Sequence, residues 1–182
     1  SAPTSERRPM SADTPEKPFA DYPSATTGSE RRVFLVVVDD TEEMAVALRF
    51  ACGRAANTGG RVALLYVLEP NDFQNWMAVG DLMRQESRAE AEKLLQRHAA
   101  KAQQWSGSIP ILFLREGQRH EELIRLIQEE PTISILVLGA STGQGGPGPL
   151  ISALTGKLVG KLRIPMTVVP GNLSEPDIAS IV

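Results

Sequence analysis

The 182-residue sequence contains one cysteine and two histidines, and both shortages exclude classes of protein. A lone cysteine, Cys52, allows no disulfide framework within one chain, which fits a reducing cytosol. The two histidines are far apart in sequence and neither has a cysteine nearby, so no metal-ligand pattern is present. The net charge of −3 combines charges of both signs, and nothing in it favours nucleic acid or an anionic membrane as a partner.

Long apolar runs are also lacking. No run approaches the roughly 20 residues of a membrane span, and no apolar segment near the start indicates a secretory signal. We therefore expect a cytoplasmic protein without a membrane partner. Residues 1–32 contain five of the thirteen prolines and no Val, Leu or Ile. Such a segment buries too little apolar surface to offset its ordering entropy, so we expect a flexible N-terminal tail.

The most informative run that is present is Val33-Phe-Leu-Val-Val-Val38, which stops on Asp39 and Asp40. Continuous apolar character indicates a strand buried on both faces, as in parallel sheets. The two aspartates then lie at the carboxyl end of that strand, where open α/β sheets bind their ligands.

The rest of the chain alternates strand and helix patterns. This βαβαβαβαβ succession predicts an α/β fold, a doubly wound, Rossmann-like parallel sheet with strand order 3-2-1-4-5. The strands are expected at Val33–Val38, Arg61–Leu68, Ile109–Leu114, Ile133–Leu138 and Met166–Val169, and the helices at Thr41–Asn57, Val79–Gln104, Gln118–Glu130 and Leu150–Arg163. Cys52 and His98 lie on the apolar stripes of the first two helices, so we expect both in the core.

In that strand order the chain changes direction between strands one and four. The crevice at this point is lined by the segments that leave these two strands, namely Asp39-Asp40-Thr41 and the glycine-rich loop Gly139–Pro149. Asp40 with Glu43 resembles a capping box, which predicts that Asp40 caps the first helix and leaves Asp39 to meet a ligand. The apolar segment Pro70–Val79 is expected beside the crevice, as a lid over the sheet or as a cover for a ligand.

Three familiar phosphate motifs fail on inspection. Gly143–Gly148 fits G-x-G-x-x-G, but no acidic residue ends a second strand about 20 residues later. Gly156-Lys157 has Ile151 in place of the first P-loop glycine and Leu158 in place of the magnesium-binding Ser or Thr. The Asp39-Asp40 pair also resembles the acidic pair of a phospho-accepting receiver domain. The acceptor aspartate and the lysine that this family needs are missing.

Residues 33–170 as a whole resemble the universal stress protein family, while 171–182 form a C-terminal extension. The resemblance depends on the order and spacing of several short pieces. These are Val36-Val-Val-Asp-Asp-Thr-Glu-Glu43, Leu64-Leu-Tyr-Val-Leu-Glu-Pro70, Arg115-Glu-Gly117, Leu136-Val-Leu-Gly-Ala-Ser141 and Ile164-Pro-Met-Thr-Val-Val-Pro170.

The resemblance implies a site for ATP, with Mg²⁺, or for a related adenine nucleotide. Asp39 and Val67 match the positions that hold the adenosine part in nucleotide-binding members. Gly139 matches the first glycine of the phosphate loop, whereas Thr142 and Ser152 stand where two further glycines are expected. Those two residues permit close backbone approach less readily than glycine, although their hydroxyls and that of Thr155 are candidate phosphate donors.

Several interpretations remain open. In the first, the chain is a stress-response binding module that senses an adenine nucleotide and forms a homodimer through the edge strand Met166–Val169, as the resemblance implies. In the second, it is an interaction protein of the same fold that binds no nucleotide. Slow nucleotide hydrolysis is a weaker alternative. We name no catalytic residue, because no catalytic constellation is recognisable, and we do not expect an enzyme.

Overall fold

A computed structural model describes residues 31–69 and 80–182 of the chain. Nearly all of the expected N-terminal tail, residues 1–32, lies outside this description, and so does the apolar connection 70–79. Within the described helices, none is both long and apolar enough to cross a membrane.

Five parallel strands form a single sheet in the order β3-β2-β1-β4-β5, which confirms the predicted fold and strand order. The strands are β1 (Val33–Val37), β2 (Arg61–Leu68), β3 (Ile111–Glu116), β4 (Ile133–Ala140) and β5 (Met166–Pro170). The helices are α1 (Glu42–Thr58), α2 (Gly80–Ser106), α3 (Arg119–Glu129), α4 (Pro149–Thr155) and α5 (Glu175–Ile181).

The central strand β1 divides the core into two layers. Because successive side chains of a strand point to opposite faces, Leu35 and Val37 pack with residues of α3 and α4, whereas Phe34 and Val36 pack with α1 and α2. Every residue of β1 is buried, and Leu35 has no exposed surface. Helices cover both faces, which explains why the strand is continuously apolar in sequence.

The expected long helix Leu150–Arg163 is wrong. The helix α4 has only seven residues and ends before Gly156, whose ψ of −117° is not helical. A short 3₁₀ turn, Val159–Lys161, comes next. Glycine is among the poorest helix formers, so the apolar spacing that continues to Leu162 does not extend the helix across Gly156.

The C-terminal extension forms a helix that packs on the same domain. Ser174 and Asp177 form a capping box at the start of α5, and Ile178 on this helix is 2% exposed. The guanidinium of Arg54 in α1 donates to the carbonyl oxygen of Val182 at 3.1 Å, and Arg49 pairs with Glu175 at 3.1 Å. The extension therefore covers part of α1.

One arginine holds the junction between α3 and β4. The guanidinium of Arg163 donates to the carbonyl oxygens of Ile127, at 2.7 Å, and of Glu130 and Ile133, both at 3.2 Å. The last carbonyls of a helix have no partner within the helix, so this side chain acts as an external C-cap.

Replacing Arg163 with methionine should therefore destabilise the protein. The apolar stem is kept while the donors are lost, so the free energy of unfolding should fall by about 1 kcal/mol. Urea denaturation measures this change. Lys161→Met, an exposed substitution on the adjacent turn, is the matched control and should change stability by less than about 0.5 kcal/mol. Equal stability of the two variants would contradict the capping role.

Candidate functional site

A cleft of about 290 Å³ opens between the carboxyl ends of β1 and β4, where the strand order reverses. This is the position at which doubly wound sheets bind their ligands. Most of it is formed by the turn after β1 with the start of α1, the loop after β4 with the start of α4, and the first residue of α3. The lining residues are Val37, Asp39, Thr41, Glu43, Met44, Arg119, Leu138, Gly139, Pro147, Gly148, Pro149, Leu150 and Ile151.

Asp39 shapes the turn between β1 and α1. Its Oδ1 accepts a hydrogen bond from the backbone N–H of Thr41 at 2.8 Å and another from the Thr41 hydroxyl at 2.5 Å. The Thr41 oxygen in turn accepts from the N–H of Met44 at 3.2 Å and caps α1. Within the described part of the chain, these bonds leave Oδ2 of Asp39 without a donor, so this oxygen is available to a ligand.

The prediction that Asp40 caps the first helix is wrong. The N-cap is Thr41, because α1 begins at Glu42 and the Thr41 hydroxyl is already in place to accept from its third residue. The side chain of Asp40 is instead 81% exposed and lies 3.8 Å from Arg97. Asp39 therefore supports the helix cap as well as facing the cleft.

Gly139 lies in β4 directly against the first turn of α1. A Cβ atom at this position would lie 2.1 Å from the carbonyl oxygen of Glu43, so only glycine lets the strand and the helix approach this closely. Gly139 thus has a packing role that needs no ligand.

The loop after β4 uses three of its backbone donors internally. The N–H of Ser141 donates to the carbonyl oxygen of Pro147 at 3.2 Å, and that of Gly146 donates to Gly143 at 3.4 Å. The N–H of Gly143 donates to the Ser141 hydroxyl at 3.3 Å. Pro147 and Pro149 have no N–H to offer. These bonds and the two prolines reduce the number of amides that the loop can present to a phosphate group.

The structure brings two of the six residues predicted for the site, Asp39 and Gly139, together in the lining of the cleft. Val67 is buried in the core, and Thr142 is exposed on the loop; neither lines the cleft.

The other two predicted residues, Ser152 and Thr155, lie in α4, outside the lining of the cleft. The N–H of Ser152 donates to the carbonyl oxygen of Gly148 at 3.1 Å. The hydroxyl of Thr155 donates to Ile151 at 2.8 Å, a bond within the helix that occupies its proton.

Sequence reasoning missed two charged residues of the cleft, Arg119 and Glu43. Arg119 is the first residue of α3, and its Nε lies 3.6 Å from a carboxylate oxygen of Glu69. Helices of a doubly wound sheet begin at the carboxyl edge of the strands, so the start of α3 lies at the same edge as Asp39. That positional rule was the available signal.

Cys52 and His98 are buried residues outside the cleft. Burial raises the pKa of the Cys52 thiol to about 12, which keeps it protonated and unreactive. Burial lowers the pKa of His98, and the positive charges of Lys101 and Arg97 lower it further. Across residues 31–69 and 80–182, no group of three His, Cys, Asp or Glu side chains is arranged to hold a metal ion.

The close approach at Gly139 makes a clear prediction. Gly139→Ala places a methyl group against backbone that cannot move independently, so the free energy of unfolding should fall by about 2 kcal/mol or more. Gly143→Ala is the matched control in the loop that follows β4. A Cβ atom at Gly143 would have the Ser141 hydroxyl oxygen as its nearest neighbour, at 3.6 Å. Denaturant unfolding of both variants, without any ligand, tests this. A Gly139→Ala protein as stable as the control would disprove the packing role.

The sequence model of the Universal stress protein family matches residues 30–170 of the chain. The chain therefore belongs to the universal stress protein family, as the sequence motifs indicated. A search among curated proteins finds no match.

Solved structures with this fold include universal stress proteins of low sequence identity. UspA from Lactobacillus plantarum is 17% identical with a TM-score of 0.63, and the match covers 76% of this chain and 97% of that one. A family protein from Arabidopsis thaliana with AMP bound is 16% identical with a TM-score of 0.56, covering 80% and 97%. A universal stress protein in complex with cAMP is 13% identical with a TM-score of 0.54, covering 78% and 98%.

Proposed function

We propose that this universal stress protein is a binding module that takes an adenine nucleotide in the cleft between β1 and β4. The observation that carries the proposal is the position of Asp39. Its Oδ1 is held by Thr41, while Oδ2 is free of described donors at the carboxyl end of the central strand. A carboxylate oxygen oriented in this way suits a pair of hydroxyl donors such as those of a ribose.

The relatives support an adenine nucleotide as the ligand class. One structure with the same fold has AMP bound and another is a complex with cAMP. ATP with Mg²⁺ remains within the proposed class. The loop after β4, with its internally bonded amides and two prolines, weighs against the tight triphosphate cradle of nucleotide-binding members. A cytoplasmic location and a role in stress response accompany the proposal as predictions.

A second candidate function is an interaction protein whose cleft takes no nucleotide. The volume of about 290 Å³ lies at the lower end of the range of about 300–1,000 Å³ that is usual for small-molecule pockets, so the cleft is small for a nucleotide. Pro147, Gly148 and Pro149 line the cleft themselves and reduce the space that a phosphate chain would need.

The experiment that separates the two is calorimetric titration with AMP and ATP, with and without magnesium. If the proposal is right, binding is measurable and Asp39→Asn weakens it by about tenfold or more. Asparagine is the informative substitution because its oxygen can still accept from Thr41 and keep the helix cap. The amide that replaces Oδ2 can only donate and cannot accept from ribose hydroxyls.

Asp40→Asn is the matched control for this titration. It removes the same charge from the next residue, which is exposed and does not line the cleft, so affinity should be unchanged. No heat of binding at millimolar concentrations of either nucleotide would reject the nucleotide proposal and favour the interaction protein. If the protein is a slow hydrolase, the wild type should release phosphate from ATP faster than the Asp39→Asn variant does.

We also propose that the protein forms a homodimer through the edge of β5. This strand is last in the sheet order, and Val168 at its centre is 40% exposed. Leu136 donates to the carbonyl oxygen of Pro165, and Gly171 donates to Ala140, so the alternating residues between them face β4. The N–H of Val168 therefore points to the open edge, where a second copy can pair with it.

Substituting Val168 with proline should prevent this pairing. Proline removes the outward N–H without removing a donor to β4, so a folded monomer is expected. Val168→Thr, which keeps the β-branched shape and the N–H, should remain dimeric. Sedimentation velocity measures both. A Val168→Pro protein that is folded and still dimeric would place the interface elsewhere.

A further inference from the structure

The cleft contains an unequal set of charges. Of its described lining residues, Asp39 and Glu43 carry carboxylates, and Arg119 is the single cation. A phosphate group that enters the cleft therefore meets two negative charges and one positive charge. Without Arg119 the electrostatic balance would oppose any phosphate, unless a metal ion came with it.

Several backbone donors of the loop beside the cleft are already used. The N–H groups of Ser141, Gly143 and Gly146 are bonded within the loop. The helix α4 begins with Pro149, which has no N–H, and its seven residues make only a short dipole. Among the described lining residues, the side chain of Arg119 is the only charged hydrogen-bond donor that can meet a phosphate.

Arg119 is held loosely enough to change partners. Its one ion pair in the described structure joins Nε to a carboxylate oxygen of Glu69 at 3.6 Å, and both side chains are partly exposed, at 37% and 29%. Ion pairs of this kind contribute little. No described residue occupies its terminal nitrogens. A bidentate, charge-assisted bond from the guanidinium to a phosphate is stronger than that single contact.

We infer that Arg119 is the phosphate-recognising residue of the cleft, and that the ligand is a nucleoside monophosphate rather than a triphosphate. This inference rests on the proposed function, because it assumes that a nucleotide binds beside Asp39. One guanidinium matches one phosphate group. Further phosphates would add negative charge near Asp39 and Glu43, in a cleft of about 290 Å³ where Arg119 is the single described cation.

The test is calorimetric titration of adenosine, AMP and ATP into the full chain without magnesium. The wild type should bind AMP about tenfold or more tightly than adenosine, as expected for one charge-assisted contact, and ATP no more tightly than AMP. In Arg119→Gln the difference between AMP and adenosine should vanish, while adenosine binds as before and thereby shows that the protein is folded.

Two further variants sharpen the result. Glu69→Gln releases Arg119 from its ion pair and should strengthen AMP binding without changing adenosine binding. Arg97→Gln removes an equal charge beside Asp40, outside the cleft, and should leave both affinities unchanged.

The outcomes distinguish this inference from the proposed function. If the wild type binds none of the three ligands, both are overturned. If AMP binds but Arg119→Gln retains the preference for AMP over adenosine, the inference is overturned and the proposed function stands. If ATP binds at least tenfold more tightly than AMP without magnesium, the assignment to a monophosphate is overturned.

Discussion

The contact between β4 and the first turn of α1 is the constraint on which the site depends. At Gly139 the strand passes so close to the carbonyl of Glu43 that a Cβ atom would lie 2.1 Å from it. This approach packs α1 against β4 beside the cleft, whose wall includes Glu43 and Met44. It also brings the capped start of α1, with Thr41 and Asp39, beside the loop that leaves β4. Packing and site geometry are therefore consequences of the same contact.

The same contact gives one of the family's motif glycines a role that needs no nucleotide. Of the three glycine positions in the family's phosphate loop, the chain keeps Gly139, which the packing of α1 on β4 requires without any ligand. Thr142 and Ser152 stand at positions where glycine would serve the phosphate path, and both lie outside the lining of the cleft. A chain under constraint to fold but not to cradle a triphosphate would show this pattern. The position of Arg119 in the same cleft is consistent with a ligand that carries less phosphate.

The fold was predictable because its signals are local and repeated. Burial on both faces makes β1 continuously apolar, and alternating strand and helix patterns with right-handed crossovers leave few strand orders to choose from. The predictions that were wrong or incomplete have physical reasons. The choice between Asp40 and Thr41 as cap depends on where the backbone first becomes helical, and Gly156 ended a helix that apolar spacing alone would continue. Arg119 is far from Asp39 in sequence and comes to line the same cleft only through the tertiary fold, so spacing along the chain could not reveal the pair.

The central claim is that Asp39 and Arg119 recognise the ribose and the phosphate of one small nucleotide. A crystal structure of the full chain grown with AMP tests it most directly. The account predicts the ribose hydroxyls within hydrogen-bond distance of Oδ2 of Asp39 and the phosphate on the guanidinium of Arg119, with the bond to Glu69 broken. AMP bound away from Asp39, or bound with its phosphate on the loop after β4 and Arg119 still paired to Glu69, would contradict it.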